Sequence, residues 1–503
     1  MSTFPHAATQ DRVIDAVLII SLGVAQAAAL AIAAFATRDA FAALHGGTPL
    51  EPRTIAALTS AGAVAALCLA LSRRRAEALG QSYAITLRRA LYTQIARLPK
   101  ARHAERRVGA LSLRFVGDLA AARLWFGRGL PDVLTAAVVL PGAVAILVAL
   151  DSGLARAAIG PLALGLVAMV ALAWHLERRH RRLRQRRAGL AIAMIERIAI
   201  APELDVMGRT GRELRALDDR GASLRDLAVA RRGRSAGLQA ILQTGVALSG
   251  LAMLWHASRA GTAPATVAAS LSVLALVAMP LADLAAAWDR YCAWRVARAK
   301  AARLLAEPTL RRRAQASSDP VTVTLRGAET FTARAGRVTH LTGPDAAQLA
   351  RSIADLDRND TVEIRFDGQT TRPRVAYVGD THVGLHGSLR RAATLMNRRR
   401  PDDAHITRTL AAFGLGTLAT ALGGLDQRLA AGGTGLSAAQ SLRLDLVRAV
   451  LGEAQVIVIA SLRWQADADR DTLLQTLLSQ TQATVIIAQA ADRPAAPHPH
   501  KAD

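Results

Sequence analysis

The chain has 503 residues, 51% of them hydrophobic and 20% charged, and Lys+Arg 63 against Asp+Glu 39 give a formal net charge of +24. The mean hydropathy is positive, which at this length points to membrane spans and excludes a chain disordered throughout. Cys68 and Cys292 are the only cysteines and lie far apart in or beside apolar stretches, so a disulfide-stapled secreted fold is excluded.

Six apolar stretches fill the first three hundred residues: Val13–Phe35, Ile55–Ser72, Pro131–Leu150, Leu154–Trp174, Ala236–His256 and Thr266–Trp288. Each is about the 17–25 residues that cross a hydrocarbon core as helix. The first is too long for the apolar core of a signal peptide, and Asp11, Arg12 and Asp15 stand where a basic leader would be. Trp174, Trp255 and Trp288 sit at span ends, as interfacial anchors do.

The loops between these stretches differ in length and charge. Arg73–Gly129 carries roughly thirteen Lys/Arg against three acidic residues, and Arg178–Ser235 carries about sixteen Arg. The other three loops, Ala36–Thr54, Asp151–Gly153 and Ala257–Ala265, are short and nearly neutral. The positive-inside rule puts the basic loops and both termini in the cytoplasm. It also accounts for the +24 better than a nucleic-acid groove does, because few aromatics interleave the arginines. Glu77–Leu98 and Leu190–Leu227 keep apolar residues at helical spacing, the second with a break at Ala201-Pro202. They read as spans continuing into the cytoplasm and returning. Amphipathic helices lying on an anionic membrane are the alternative.

Glu307–Pro320 is polar with a proline near each end and reads as a linker. Beyond it, β-rich runs at Val321–Leu325, Arg337–Leu341, Thr361–Phe366, Arg374–Val378, Val456–Ile459 and Thr484–Ile487 alternate with helical segments. Those segments are Ala347–Leu356, Ile406–Phe413, Ala438–Leu451 and Asp471–Gln480. The alternation predicts an α/β domain over 321–493, after a membrane domain over 1–305 and a linker over 306–320. Pro494–Asp503 reads as a polar tail.

This order of segments resembles a half-transporter of the ABC exporter family, over nearly the whole chain. In the first basic loop, LRRALYTQIARLPKARHAERRVGALSLRFVGDL resembles the family's helix, coupling turn and G-x-L-x-x-R-x-x-x-D stretch. In the second, PELDVMGRTGRELRALDDR resembles its second coupling turn. VAYVGD, then GLDQRLAAGGTGLSAAQSLRLDLVRAVLGEAQVIVIAS, follows the family's nucleotide-binding domain in order and spacing, with GLSAAQ and the helix after it the most specific part. The fold class implied is a six-helix, all-α membrane domain with long cytoplasmic helical extensions, followed by a shortened and degenerate α/β nucleotide-binding domain.

The residues that carry the family's chemistry are replaced. A phosphate cradle needs a G-x-x-x-x-G-K-[ST] loop, whose lysine reaches the β- and γ-phosphates and whose hydroxyl holds Mg²⁺. The matching segment, LTGPDAAQLARSIADL, keeps Gly343 and Pro344 but is about three residues short of that motif. Ala346, Ala347 and Gln348 stand where the lysine and hydroxyls belong. The chain's lysines are only Lys100, Lys300 and Lys501, so the domain has none to offer. The nearest arginine, Arg351, lies one helical turn further on. After the strand Val456–Ile459, Ala460 and Ser461 replace the metal-binding Asp and catalytic Glu. Asp380 replaces the glutamine that senses Mg²⁺, and Ala490 the histidine that senses the γ-phosphate. Together these losses remove charge neutralisation, metal ligation and water activation.

The family's signature, which faces the ATP held by a partner domain, corresponds to Ser437, Ala438, Ala439 and Gln440 after Leu436. Asp467 falls at the interface aspartate. Ser437 and the helix N-terminus after it retain donors for a phosphate. The two alanine methyls crowd that approach, and packing alone is the competing reason for the segment to persist. In the membrane half, Asp283 is an intramembrane carboxylate, a functional candidate by default. Gln239 and Gln243 are polar positions that helix–helix hydrogen bonds would also explain.

The resemblance thus implies the non-catalytic half of an exporter in a bacterial inner membrane. It would bind no cofactor of its own and pair with an ATPase-competent half-transporter that holds Mg-ATP. A homodimer with a scaffold or regulatory role and no ATP-driven transport is the alternative.

Overall fold

The apolar stretches lie within helices much longer than a bilayer is thick, five of the six at one end of their helix. In the computed structural model these are α1 (Gln10–His45), α2 (Pro52–Ala96), α3 (Gly117–Leu150), α4 (Ser152–Ala199), α5 (Thr210–Ala260) and α6 (Pro264–Leu305). The structure describes residues 4–6, 8–104, 117–310, 319–327, 330–359, 361–367, 372–384, 387–397, 399–421, 423–429 and 435–490. The G-x-L-x-x-R stretch, the middle of the linker and the polar tail lie outside them. All six helices contain a window apolar enough to span, so this is an integral membrane protein with six candidate spans. At 45, 48 and 51 residues, α2, α4 and α5 are each more than twice as long as the roughly 20 residues a bilayer needs, the expected continuation into the basic loops.

The chain divides into two compact units, Met1–Ala96 with Arg106–Glu307, and Arg97–Glu105 with Pro308–Asp503. Within the first, Gly80 of α2 meets Gly127 of α3 so closely that a Cβ on Gly80 would lie 2.6 Å from the Gly127 Cα. Above this crossing Tyr83 stacks on Phe126, 3.9 Å between centroids, and Trp294 of α6 meets Tyr83 edge-on at 5.5 Å. Asp151 alone separates α3 from α4, and its side chain caps α4 by accepting from the Leu154 N–H at 2.8 Å.

The second basic loop turns one residue earlier than Ala201-Pro202 suggests. Helix α4 ends at Ala199, and Pro202 sits in the first turn of a new short helix, Ala201–Val206, where its missing N–H costs nothing. The reversal is completed by Gly208, whose φ of +66° favours glycine. Arg197 donates to Glu213 across the turn at 2.6 Å.

In the second unit, β1 (Val323–Arg326) pairs antiparallel with β2 (Thr330–Ala333) and β4 (Glu363–Phe366). Strands β3 (Val338–Gly343), β5 (Val375–Gly379), β6 (Val456–Ala460) and β7 (Thr484–Ala490) form a parallel sheet in the order β3-β7-β6-β5. All of Val456–Ile459 is buried, as expected of a parallel strand covered on both faces. Helix α7 (Ala346–Ile353) packs on one face and α8 (Ala438–Leu451) and α9 (Arg470–Gln480) on the other. Strand β2 and the short helices Leu389–Ala393, Gly416–Ala421 and Leu462–Ala466 were not anticipated. Helix α7 stops at Ile353 instead of Leu356, in a turn that places Asp355 at φ +53°.

Candidate functional site

Parallel strands carry their loops at one end, and that end is where α/β domains bind ligands. Gly343 of β3 lies opposite Ala490 of β7, and Gly379 of β5 opposite Ala460 of β6. Five positions singled out in the sequence therefore converge on one sheet edge: Gly343, Asp380, Ala460, Ser461 and Ala490.

The connection from β3 to α7 is two residues, Pro344 and Asp345, leaving a glycine-favouring φ of +125° at Gly343. Ala346 begins the helix and is buried, while Ala347 and Gln348 follow in its first turn. Arg351 does not reach toward this edge for a ligand. Its Nε donates to Asp357 at 2.7 Å. Asp357 also accepts from the Ala101 backbone N–H at 2.8 Å, and the Lys100 N–H donates to the Leu356 carbonyl at 2.6 Å. The short helix Lys100–Ala104 of the first basic loop is thereby seated on the turn after α7, with the Lys100 ammonium 5.6 Å from the Tyr377 ring centroid.

On the other side of the edge, the Asp380 carboxylate accepts from the Leu462 N–H at 2.6 Å. Ser461 caps the helix Leu462–Ala466, its hydroxyl accepting from the Arg463 N–H at 3.1 Å. The Arg463 guanidinium then ties three elements together. It donates to the Gly379 carbonyl, to Ser441 at 2.8 Å and to Asp445 at 2.9 Å. Asp445 is buried in α8 and also meets Arg448 at 3.1 Å and His382 Nδ1 at 2.9 Å. Burial pushes the Arg448 pKa down, and Asp445 opposes that shift.

Ser437 opens α8 with a capping box. Its hydroxyl accepts from the Gln440 N–H at 3.1 Å, and the Gln440 side chain accepts from the Ser437 N–H at 2.9 Å. Ser437 and Ala438 are exposed and Ala439 half-buried. Asp467 accepts from the Asp469 N–H at 2.9 Å, and its second oxygen is buried with no hydrogen bond among the described residues.

In the membrane unit Asp283 does not stand alone. Arg73 donates to it at 3.2 Å and to Asp132 at 2.7 Å, and Arg290 donates to Asp132 at 2.6 Å. Two arginines and two aspartates thus form a charge-balanced cluster among α2, α3 and α6. Gln239 is half-buried and Gln243 exposed on α5, and no ion pair or hydrogen bond among the described residues joins either to Asp283.

Residues 13–259 match the family model described as the ABC transporter transmembrane region. That match spans most of the membrane half. A solved structure described as a bacterial Atm1-family ABC exporter with ATP bound superposes with a TM-score of 0.77 at 18% identity, covering 97% of this chain and 92% of that one. At that identity the likeness establishes the ABC exporter fold and nothing finer. No curated protein matches the sequence.

An ABC exporter transmembrane region fits a transporter role, and such exporters typically work as dimers. Reading this chain as an ABC exporter from sequence missed Asp132, Asp445, Arg463 and His382. An acidic residue within an otherwise apolar helix, as in LRLDLVRAVL, was the available signal for Asp445.

Proposed function

We propose that this chain is the non-catalytic half of an ABC-type exporter in a bacterial inner membrane. It pairs with an ATPase-competent half-transporter and couples that partner's ATP cycle to translocation. The observation that carries the reading is the two-residue Pro344-Asp345 link at the phosphate-loop position, with no lysine in the domain and Arg351 committed to Asp357.

The donor set at the sheet edge does not fit Mg-ATP. A phosphate cradle requires several consecutive backbone N–H groups around a cation, and two residues are too few to surround it. A magnesium ion requires carboxylate or hydroxyl oxygens in an octahedral shell. Here Ala460 offers no side-chain oxygen, Ser461 caps a helix, and Asp380 holds the Leu462 N–H. No step through a nucleotide is therefore assigned to this edge. The exposed Ser437 face of α8 retains a hydroxyl and helix N-terminus that suit a phosphate held mainly by a partner. The Lys100–Ala104 helix, seated on the turn at Leu356–Asp357, is suited to carrying motion between this domain and the first basic loop.

The test is purification of this chain from its native membrane in mild detergent, with mass spectrometry and ATPase assay of the eluate. A stoichiometric second half-transporter, with activity lost on mutating the partner's phosphate-loop lysine, is the expected result. Recovery of this chain alone, with no turnover, overturns the paired reading in favour of a silent homodimer.

A further inference from the structure

The membrane unit contains a cavity of about 410 Å³ that the nucleotide chemistry does not use. Trp125, Trp288 and Tyr291 line one side of it, and Leu166, Met169 and Leu238 are among the apolar residues of α4 and α5 that line it elsewhere. That volume lies within the roughly 300–1,000 Å³ of small-molecule sites.

The aromatic side is built by a local departure from α-helix. Trp125–Gly129 is a single π turn inside α3, a feature that recurs at functional sites. The Trp125 ring lies across Gly129, where a Cβ would stand 2.5 Å from the ring, so the glycine permits that placement. Tyr291 is tilted against Trp125 at 5.0 Å between centroids and against Trp288 at 5.9 Å.

The chemistry of the lining selects a ligand class. Among the described residues, no charged side chain lines the cavity. Neighbouring charges are already engaged, Arg290 with Asp132 and Asp283 with Arg73. An organic cation would therefore find no carboxylate to pair with among the described lining residues. The polar edges on the aromatic side are two indole N–H groups and one phenol, and none makes a hydrogen bond among the described residues. Indole N–H donates only, and flat apolar walls favour offset or edge-on aromatic contact.

We infer that this cavity is a binding site for an uncharged, planar aromatic molecule carrying a hydrogen-bond acceptor such as a carbonyl. The inference deepens the exporter reading by naming a substrate class. It rests on that reading only for a role in transport. Binding itself needs neither nucleotide nor a second chain, so its failure would leave the paired-exporter reading standing.

The full chain in phosphatidylcholine nanodiscs is titrated with flavone, a neutral planar carbonyl compound, and tryptophan emission is followed. Saturable quenching is expected. Ala285→Phe, which places a ring in the cavity, should abolish the saturable phase. Tyr291→Phe, which keeps the shape and removes the hydroxyl, should weaken binding roughly threefold to tenfold if the phenol donates to the carbonyl. Size-exclusion profiles identify a variant that has failed to fold, and Tyr291→Phe then carries the test alone. Equal, non-saturable quenching in all forms would overturn the site. So would quenching by brominated acyl chains that flavone does not relieve, which would make the cavity a lipid groove. Competition by tetraphenylphosphonium at the concentration at which flavone binds would overturn the assignment of an uncharged ligand.

Discussion

Gly80 and Gly127 illustrate how single residues set the geometry of the membrane unit. A Cβ on Gly80 meets backbone at 2.6 Å, whereas a Cβ on Gly127 meets its nearest neighbour at 3.3 Å. Gly80→Ala should therefore destabilise by about 1–3 kcal/mol and Gly127→Ala by less, an order that thermal unfolding in detergent can check. Asp445 poses the opposite problem, a buried charge with three partners. Asp445→Ala leaves the Arg448 and Arg463 guanidiniums without their carboxylate, and breaking a buried pair in this way costs about 3–5 kcal/mol. The expected result is a large fall in the unfolding temperature, with Asp445→Asn intermediate because it keeps one acceptor. A fall no greater for Ala than for Asn would argue that the cluster is solvated. Neither Asp445 nor Asp132 could be read as a hub from sequence, because a charge is recognised as satisfied only through its partners. Asp132 meets Arg73 across 59 residues, and Asp283 meets the same arginine across 210.

At the scale of elements, the long helices were legible and their interruptions were not. Twenty-residue apolar windows mark spans whatever they pack against, and the parallel strands of the α/β domain announce themselves as short β-branched runs. The π turn at Trp125–Gly129 has no such signature; its residues meet α2 at Gly80 and α6 at Tyr291, contacts that local sequence does not reveal. The second basic loop shows the same limit. The break expected at Ala201-Pro202 falls between Ala199 and Ala201, but Pro202 also opens a short helix, and the reversal is completed at Gly208. That turn is fastened by Arg197, whose hydrogen bond holds the Glu213 carboxyl below its ordinary range. A depressed folded-state pKa stabilises above the unfolded value of about 4.3 and loses that effect as pH falls through the folded value. The unfolding temperature of the wild type should therefore fall more steeply below about pH 4.3 than that of Glu213→Gln. Parallel curves would mean that the ion pair contributes nothing measurable.

For the whole molecule, the absence of a residue type is legible in the sequence because it needs no structure to detect. A domain without lysine cannot supply the phosphate-loop lysine, whatever its fold. The sheet registers then bring Gly343, Asp380, Ala460 and Ala490 to one edge, and the hydrogen bonds say what the replacements do there. Asp380 ties the end of β5 to the segment after β6, and Arg463 ties both to α8. On the reading proposed above, contacts among the domain's own groups take the place of nucleotide ligands. Ser437→Arg places a bulky cation on the exposed start of α8. It should reduce ATP turnover of the paired complex at least tenfold if that face meets the partner's phosphate, a loss of about 1.4 kcal/mol in transition-state stabilisation. Unchanged turnover would assign the LSAAQ segment to packing alone.

The most direct measurement is Mg-ATP hydrolysis by this chain purified alone in nanodiscs. The account predicts turnover indistinguishable from empty nanodiscs, and unchanged in Asp380→Ala and Ser461→Ala. Magnesium-dependent turnover that falls in either variant would contradict it, because the sheet edge would then be a working nucleotide site.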